Sequence, residues 1–153
     1  MVEFYRPSIG ELGFRQRLLA DLETMSFNPG GTIVFPEEKW TGWYHKWLES
    51  EGGERFYRYI RDGLSGELAG EAAWYLDDAR NIYICSIIID AARRGRGYGG
   101  EALELLCREA RLRGITELYD DIAADNRSVG LFLRHGFTVV SSDDVAVLVK
   151  RQL

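Results

Sequence analysis

Apolar positions along this chain follow two rhythms. One recurs every three to four residues, the period of a helix face. The other alternates or runs together over short stretches, as strands do. Val2 to Tyr5 reads as a short strand. Ser8 followed by Glu11 is a capping-box signature, and a helix is expected from there to about Glu23, with Leu12, Leu19 and Leu22 on one face. Phe27-Asn28-Pro29-Gly30-Gly31 is turn chemistry, and Thr32 to Phe35 is a short extended piece. Pro36 suits the first turn of a second helix. Trp40, Trp43, Tyr44, Trp47 and Leu48 stand at i, i+3, i+4, i+7 and i+8 of that helix, and Glu51-Gly52-Gly53 is expected to end it.

Three strands are expected next, at Arg55 to Arg61, Glu67 to Leu76 and Ile82 to Ile89, joined by short turns as an antiparallel meander. In the second, Leu68, Gly70, Ala72, Trp74 and Leu76 share one face, and Ala69, Glu71, Ala73 and Tyr75 the other. A helix from Glu101 to about Arg113 turns Ala102, Leu103, Leu106, Cys107 and Ala110 inward, and Gly114 stops it. Glu117 to Ala123 is a strand reached by a helical crossover, hence parallel to 82–89. Asp125 to Ser128 opens a short helix bearing Val129, Phe132 and Leu133, and Gly136 closes it. Phe137 to Val140 and Val145 to Val149 form a terminal hairpin. The order is β-α-α-β-β-β-α-β-α-β-β, an α/β (α+β) class with a mixed sheet, in one domain over 1–153.

Composition narrows the setting. At 153 residues the chain is long enough to bury a core. A net charge of −5 argues against nucleic acid as a partner. Cys85 and Cys107 read as reduced core residues, and no metal-site spacing occurs. The chain opens without an apolar leader stretch, and no apolar run reaches the ~18 residues of a membrane span, so the cytoplasm is the expected location.

Against that acidic background, three arginines stand within four residues, Arg93, Arg94 and Arg96. They belong to the loop Arg93-Arg94-Gly95-Arg96-Gly97-Tyr98-Gly99-Gly100, which lies between a β-branched strand and a helix. Such a loop holds phosphate, because free N–H groups at the helix start point at the anion and absent side chains let it come close. The loop lacks Gly-Lys-Ser/Thr and the dinucleotide glycine spacing. It does contain Arg94-x-x-Gly97-x-Gly99. A second block follows, Asp125-Asn126-Arg127-Ser128-Val129-Gly130-Leu131-Phe132-Leu133-Arg134-His135-Gly136-Phe137. In this order and context the two blocks resemble the acyl-CoA motifs of the GNAT (GCN5-related N-acetyltransferase) superfamily, and the element order is similar over essentially the whole chain.

The resemblance implies acetyl-CoA, or another acyl-CoA, as donor, a mostly antiparallel GNAT-like sheet, and an amine acceptor, either a small molecule or a peptide. It leaves a homodimer open. Carried over by position, Arg94, Gly95, Arg96, Gly97, Tyr98, Gly99 and Gly100 cradle the pyrophosphate, with Gly97 and Gly99 lacking a Cβ that would block it. Ile87, Ile88 and Ile89 meet the pantetheine arm through their backbone. Asn126 and Ser128 cap the following helix and meet the pantetheine, with Asp125 the alternative match to the family's asparagine. Many members carry a tyrosine, the proton donor to the departing thiolate, where this chain has Phe132. Phe132 is therefore expected only to pack against the cofactor, and either another group supplies the proton or CoA leaves as thiolate.

The base is sought among carboxylates. Glu71 is the first candidate, with an exposed strand carboxylate or a substrate-charge partner as the alternative. Asp120 and Asp121 come second, and alternation lets at most one face the cleft. Tyr119 and Tyr83 are candidate proton donors, His135 reads as structural, and Cys85 as a core residue rather than a nucleophile. In this fold the acceptor site would draw on Phe27, Phe35, Trp40, Trp43, Tyr44, Trp74 and Tyr75. The missing tyrosine keeps a second class in play, a non-catalytic acyl-CoA-binding domain.

Overall fold

A computed structural model describes residues 1–153 apart from 51 and 53. The strands are β1 (Val2–Tyr5), β2 (Arg55–Asp62), β3 (Leu68–Asp77), β4 (Ile82–Ile89), β5 (Glu117–Ala123), β6 (Thr138–Ser142) and β7 (Ala146–Gln152). The helices are α1 (Gly13–Ala20), α2 (Trp40–Tyr44), α3 (Tyr98–Leu112) and α4 (Ser128–Arg134). The strands form one sheet in the order β1-β2-β3-β4-β5-β7-β6. Only β4 and β5 run parallel. This is the expected element order and a mixed, mostly antiparallel sheet. No helix among the described residues is long and apolar enough to cross a membrane.

Helices cover both faces. Under α3 and α4 lies a core of Phe56, Ala72, Trp74, Leu103, Leu106, Leu118 and Phe132. Burying each of those leucines contributes about 1.5–3 kcal/mol. On the other face Leu12, Leu19, Met25 and Phe35 pack against Trp40, Trp43, Tyr44 and Ile88. Leu48, Tyr57 and Tyr59 continue that layer with Trp47.

Several boundaries differ from the sequence reading. The Ser8–Glu11 capping box forms, but it caps a 3-10 turn ahead of α1. The helix then stops at Ala20, and Leu22 is 79% exposed. Asp21 is the cause: its carboxylate accepts from the Thr24 N–H and hydroxyl, which turns the chain out of the helix. After α2 the backbone widens into a π-helical turn, His45–Glu49. The expected stop at Glu51 and Gly53 lies outside the described residues. α3 begins at Tyr98 rather than Glu101, so the last three residues of the glycine loop lie in its first turn.

The even alternation expected along β3 is also broken. The β2–β3 register shifts between Ile60 and Arg61, so that Gly70 faces Ile60 and Leu68 faces Arg61. Ala69 is the extra residue of the bulge. It therefore joins Ala72 and Trp74 in the core, while Leu68 packs with Ala73 on the opposite face. Beside the bulge β3 and β4 come unusually close. A Cβ on Gly70 would stand 2.0 Å from the Ile88 carbonyl oxygen, which is backbone and cannot swing aside. We expect Gly70→Ala to cost about 1–3 kcal/mol, the usual range for overpacking, read as a lower thermal midpoint. An unchanged midpoint would show that β4 moves freely here.

Candidate functional site

β4 is bonded to β3 along its whole length, but its other edge is not equally served. Its register with β5 is the single pair Ile84↔Tyr119. Beyond that pair the strands part, and Ser86 to Ile89 face Asp120 to Ala123 across a cavity of about 560 Å³. Asp90 N–H donates to Ala69 O across β3. Backbone groups alternate along a strand, so Ile87 and Ile89 turn their N–H and C=O into the gap. The Ile88 side chain points to the α1–α2 layer, whereas Ile87 and Ile89 pack with the α3 core.

The gap runs into the glycine loop. Gly95 and Gly97 hold φ of +80° and +81°, and Gly97 is the N-cap of α3. No atom lies within 4 Å of a Cβ built on Gly97, so left-handed backbone rather than crowding makes it glycine. Gly99 and Gly100 are glycine for helix packing. Their Cβ atoms would meet Leu131 Cδ2 at 3.3 Å and His135 Nε2 at 2.7 Å. This corrects the idea that Gly99 is small to admit a phosphate: what it admits is α4. His135 is in turn held by Glu104 at 2.9 Å, a structural role.

The three arginines of the loop do different things. Arg93 pairs with Glu67 at 2.9 Å. Arg94 donates to the Thr24 carbonyl at 2.7 Å, and Ala91 N–H donates to the Thr24 hydroxyl at 3.0 Å. Arg94 thus latches the segment after α1 over the cavity, where Thr24, Met25, Phe27, Asn28 and Pro29 form a wall. Arg96 makes no ion pair among the described residues and is exposed. Two further cations line the cavity, Arg127 and Arg134, also without ion pairs among the described residues. The sequence reading passed over both. Their spacing of seven, two helical turns, was the available signal that both lie on one side of α4.

Tyr98 lines the cavity, yet its hydroxyl turns to Asp62 at 2.5 Å. That hydrogen bond, with the N–H groups of Ser65 and Leu64, holds the Asp62 carboxyl well below the ordinary carboxylate range. A folded pKa below the unfolded one gives stability that is present above about pH 4 and is lost as the pH falls through the folded value. Tyr98→Phe should therefore unfold at a higher pH than wild type in an acid titration followed by circular dichroism.

Asn126 Oδ1 accepts from Ser128 N–H at 2.9 Å, so the pair starts α4 as expected, and both line the cavity. Phe132 also lines it, packed edge-on against Phe137. Asp120 is half-buried at the mouth of the β4–β5 gap. It shares a sheet face with Leu118 and Ile122, toward α3 and α4. Asp121 takes the opposite face and is tied to Arg80 at 2.6 Å.

Other candidates are displaced. Glu71 is only 6% exposed. Both its oxygens accept from Arg15 Nη1, at 2.7 and 2.6 Å, and Tyr57 donates its hydroxyl to one of them. Rings of Phe35, Trp43 and Tyr57 surround that guanidinium at 4.9, 4.4 and 5.4 Å. Burial disfavours the charged form of Arg15, but the Glu71 carboxylate outweighs it and holds the pKa up. Glu71 is thus an ion-pair partner with its lone pairs engaged, not a free base. Tyr119 stands at the closed end, where β4 and β5 still pair, and lines a smaller groove with Tyr83 and Thr116. Neither tyrosine reaches the main cavity. Trp74 is fully buried and stacked on Phe56 at 4.3 Å, so it touches no substrate. Trp40, Trp43 and Tyr44 pack against α1, and Tyr44 donates to Pro7 O at 2.8 Å. Tyr75, 39% exposed beside Trp47, keeps an open ring. Burial pushes the Cys85 thiol up, which leaves it a core residue. No group of three metal-ligating side chains occurs among the described residues.

A parted parallel strand pair leading to a left-handed glycine N-cap is a geometry suited to a long ligand with an anionic end. The chain belongs to the acetyltransferase (GNAT) family, whose model matches residues 17–137. No curated protein matches its sequence. Solved structures are similar throughout. A GNAT-family acetyltransferase from Streptococcus pneumoniae has 17% identity and a TM-score of 0.80, with all of both chains covered. The Salmonella typhimurium protein yncA, solved with its cofactor acetyl-CoA, has 18% identity and a TM-score of 0.78 over 100% of this chain and 93% of its own. The Thermoplasma acidophilum paia N-acetyltransferase, in complex with coenzyme A, has 13% identity and a TM-score of 0.72 over 100% and 99%.

Proposed function

We propose that the protein is an N-acetyltransferase that takes its acetyl group from acetyl-CoA and passes it to a primary amine by direct attack. The observation that carries this reading is the gap beside Ile87 and Ile89, continuous with the N-terminus of α3. It fits a ligand that is extended and hydrogen-bonding at one end and anionic at the other. Acetyl-CoA supplies the activated acyl group when bound. The loop 94–100 offers main-chain N–H groups to its pyrophosphate. Arg96, Arg127 and Arg134 offer uncommitted positive charge to the phosphates. Ile87 and Ile89 offer backbone partners to the pantetheine, and the Ile87 N–H is placed to polarise the thioester oxygen. Asn126 and Ser128 shape the wall opposite, and Phe132 closes it with an apolar surface that excludes water.

The cations that line the cavity come from the glycine loop and from α4 and its N-cap, Arg93, Arg94, Arg127 and Arg134, which suits the phosphates of the donor. The acceptor, a small-molecule or peptide amine, approaches from the α1–α2 side. There the exposed Ser86 lines the gap, and Tyr75 and Trp47 pack together on the neighbouring surface. The protein acts in the cytoplasm, and a homodimer follows the family's habit.

The test is thiol release from acetyl-CoA with a panel of polyamines, aminoglycosides, amino acids and peptide N-termini. At least one amine should raise release well above the rate in buffer. Tight CoA binding with no turnover on any amine would instead favour a non-catalytic acyl-CoA-binding domain, the reading that Phe132 keeps open.

A further inference from the structure

Resting on the acyl-transfer reading, the structure leaves one question of proton supply. Amine attack breaks the C–S bond and leaves the electron pair on sulfur. Phe132 has no proton to give. The walls of the cavity hold few other donors, and most are committed. The Tyr98 hydroxyl donates to Asp62, and the Thr24 hydroxyl to Asp21. Asp121 is engaged by Arg80 on the opposite sheet face. Ser86 lies on the α1–α2 face and Ser128 at the start of α4, and a serine hydroxyl is far too weak an acid. The arginines keep their protons.

Asp120 is different. No cation pairs with it among the described residues. It sits where β4 and β5 part, on the same side of the sheet as Phe132, and both line the cavity. Its neighbours on that side are apolar, Leu118 and Ile122 on its own strand and Val149 opposite it on β7. The one titratable group beside it on β4 is Cys85, a neutral thiol. Burial, with Asp121 next to it, pushes the Asp120 carboxyl well above the ordinary carboxylate range, so the group holds a proton where other aspartates have lost theirs.

We propose that Asp120 is the proton donor to the CoA sulfur, a catalytic acid on β5 that does the work Phe132 cannot. The amine nitrogen bonds to the carbonyl carbon, the C–S bond breaks, and the Asp120 Oδ–H proton passes to sulfur. CoA leaves as the thiol. The nitrogen then sheds its extra proton through solvent, which restores the Asp120 acid, and no further reactant is needed. The apolar setting serves this chemistry, because it favours the protonated carboxyl, the form that can give a proton to sulfur.

A test that needs no acceptor compares CoA with desulfo-CoA, which lacks the sulfur, by titration calorimetry on wild type and Asp120→Ala. Wild type should bind CoA about fivefold more tightly, as expected for one neutral hydrogen bond from the carboxyl to sulfur. Asp120→Ala should bind both equally, with its desulfo-CoA affinity unchanged, which also shows that the variant is folded. If Asp120→Ala keeps the preference for CoA, Asp120 does not touch the sulfur and the inference falls. If wild type binds neither compound, the donor reading itself fails. With any amine that turns over, Asp120→Ala should lower kcat about a hundredfold and leave the KM for acetyl-CoA alone, as loss of a general acid does. Asp120→Glu should recover part of the rate, and an unchanged kcat would overturn the assignment.

Discussion

Gly97→Glu is expected to lower CoA affinity at least about a hundredfold, because it places a carboxylate where phosphates must approach the N-terminus of α3. The substitution acts twice. It forces a Cβ residue to hold φ +81°, at a cost of about 1–2 kcal/mol. It also sets a negative charge beside the anion. Gly97→Ala separates the two, since it carries the strain without the charge and should lose much less affinity. No atom lies within 4 Å of the new Cβ, so the fold has room for either side chain. Calorimetry with CoA gives the affinities, and circular dichroism melting gives the stability. Full-strength CoA binding by Gly97→Glu would place the phosphate site elsewhere.

The largest stability loss is expected from Arg15→Ala. It leaves the Glu71 carboxylate buried beside Tyr57 with its counter-charge gone, a change that typically costs about 3–5 kcal/mol. For a chain of this size the thermal midpoint should fall on the order of 10 °C. Glu71→Ala strands the Arg15 guanidinium among the rings and should cost a similar amount. Removing both charges together, as Arg15→Met with Glu71→Leu, should recover most of the loss, because well-packed apolar residues replace buried ion pairs at little cost. A drop of under about 1 kcal/mol in Arg15→Ala would mean that the pair is solvated after all. The same set bears on catalysis. If Glu71 were the base, Glu71→Gln would abolish turnover at an unchanged melting temperature. The geometry predicts lower stability first.

How far the site was legible follows from what each signal encodes. The glycine loop and the 125–137 block announced themselves, because left-handed turns, helix caps and close backbone approach restrict residue type at fixed spacing. Even so, the reasons lay partly elsewhere. Gly99 reads as a phosphate glycine and proves to be a helix-packing glycine, since its partner Leu131 comes from a distant segment. Arg94 reads as a phosphate ligand and proves to latch the Thr24 segment, 70 residues away in sequence. Arg127 and Arg134 drew no notice in the sequence because surface arginines are ordinary. Only the cavity gives them a purpose.

The sequence by itself determined the element order, the strand–loop–helix motif with its left-handed glycine and the absence of a tyrosine at 132. Those are local properties, written in periodicity, caps and left-handed turns. Tertiary structure decided the chemistry of the carboxylates. Glu71 and Asp120 look alike along the chain, each an acid in a strand. Folding brings Arg15 onto the first and neutralises its charge, while it closes apolar side chains around the second and leaves it unpaired. Acidity depends on burial and on charges that arrive from other segments, and no spacing rule along one strand records them. The parting of β4 from β5 is of the same kind, because a gap belongs to two strands and appears in the sequence of neither.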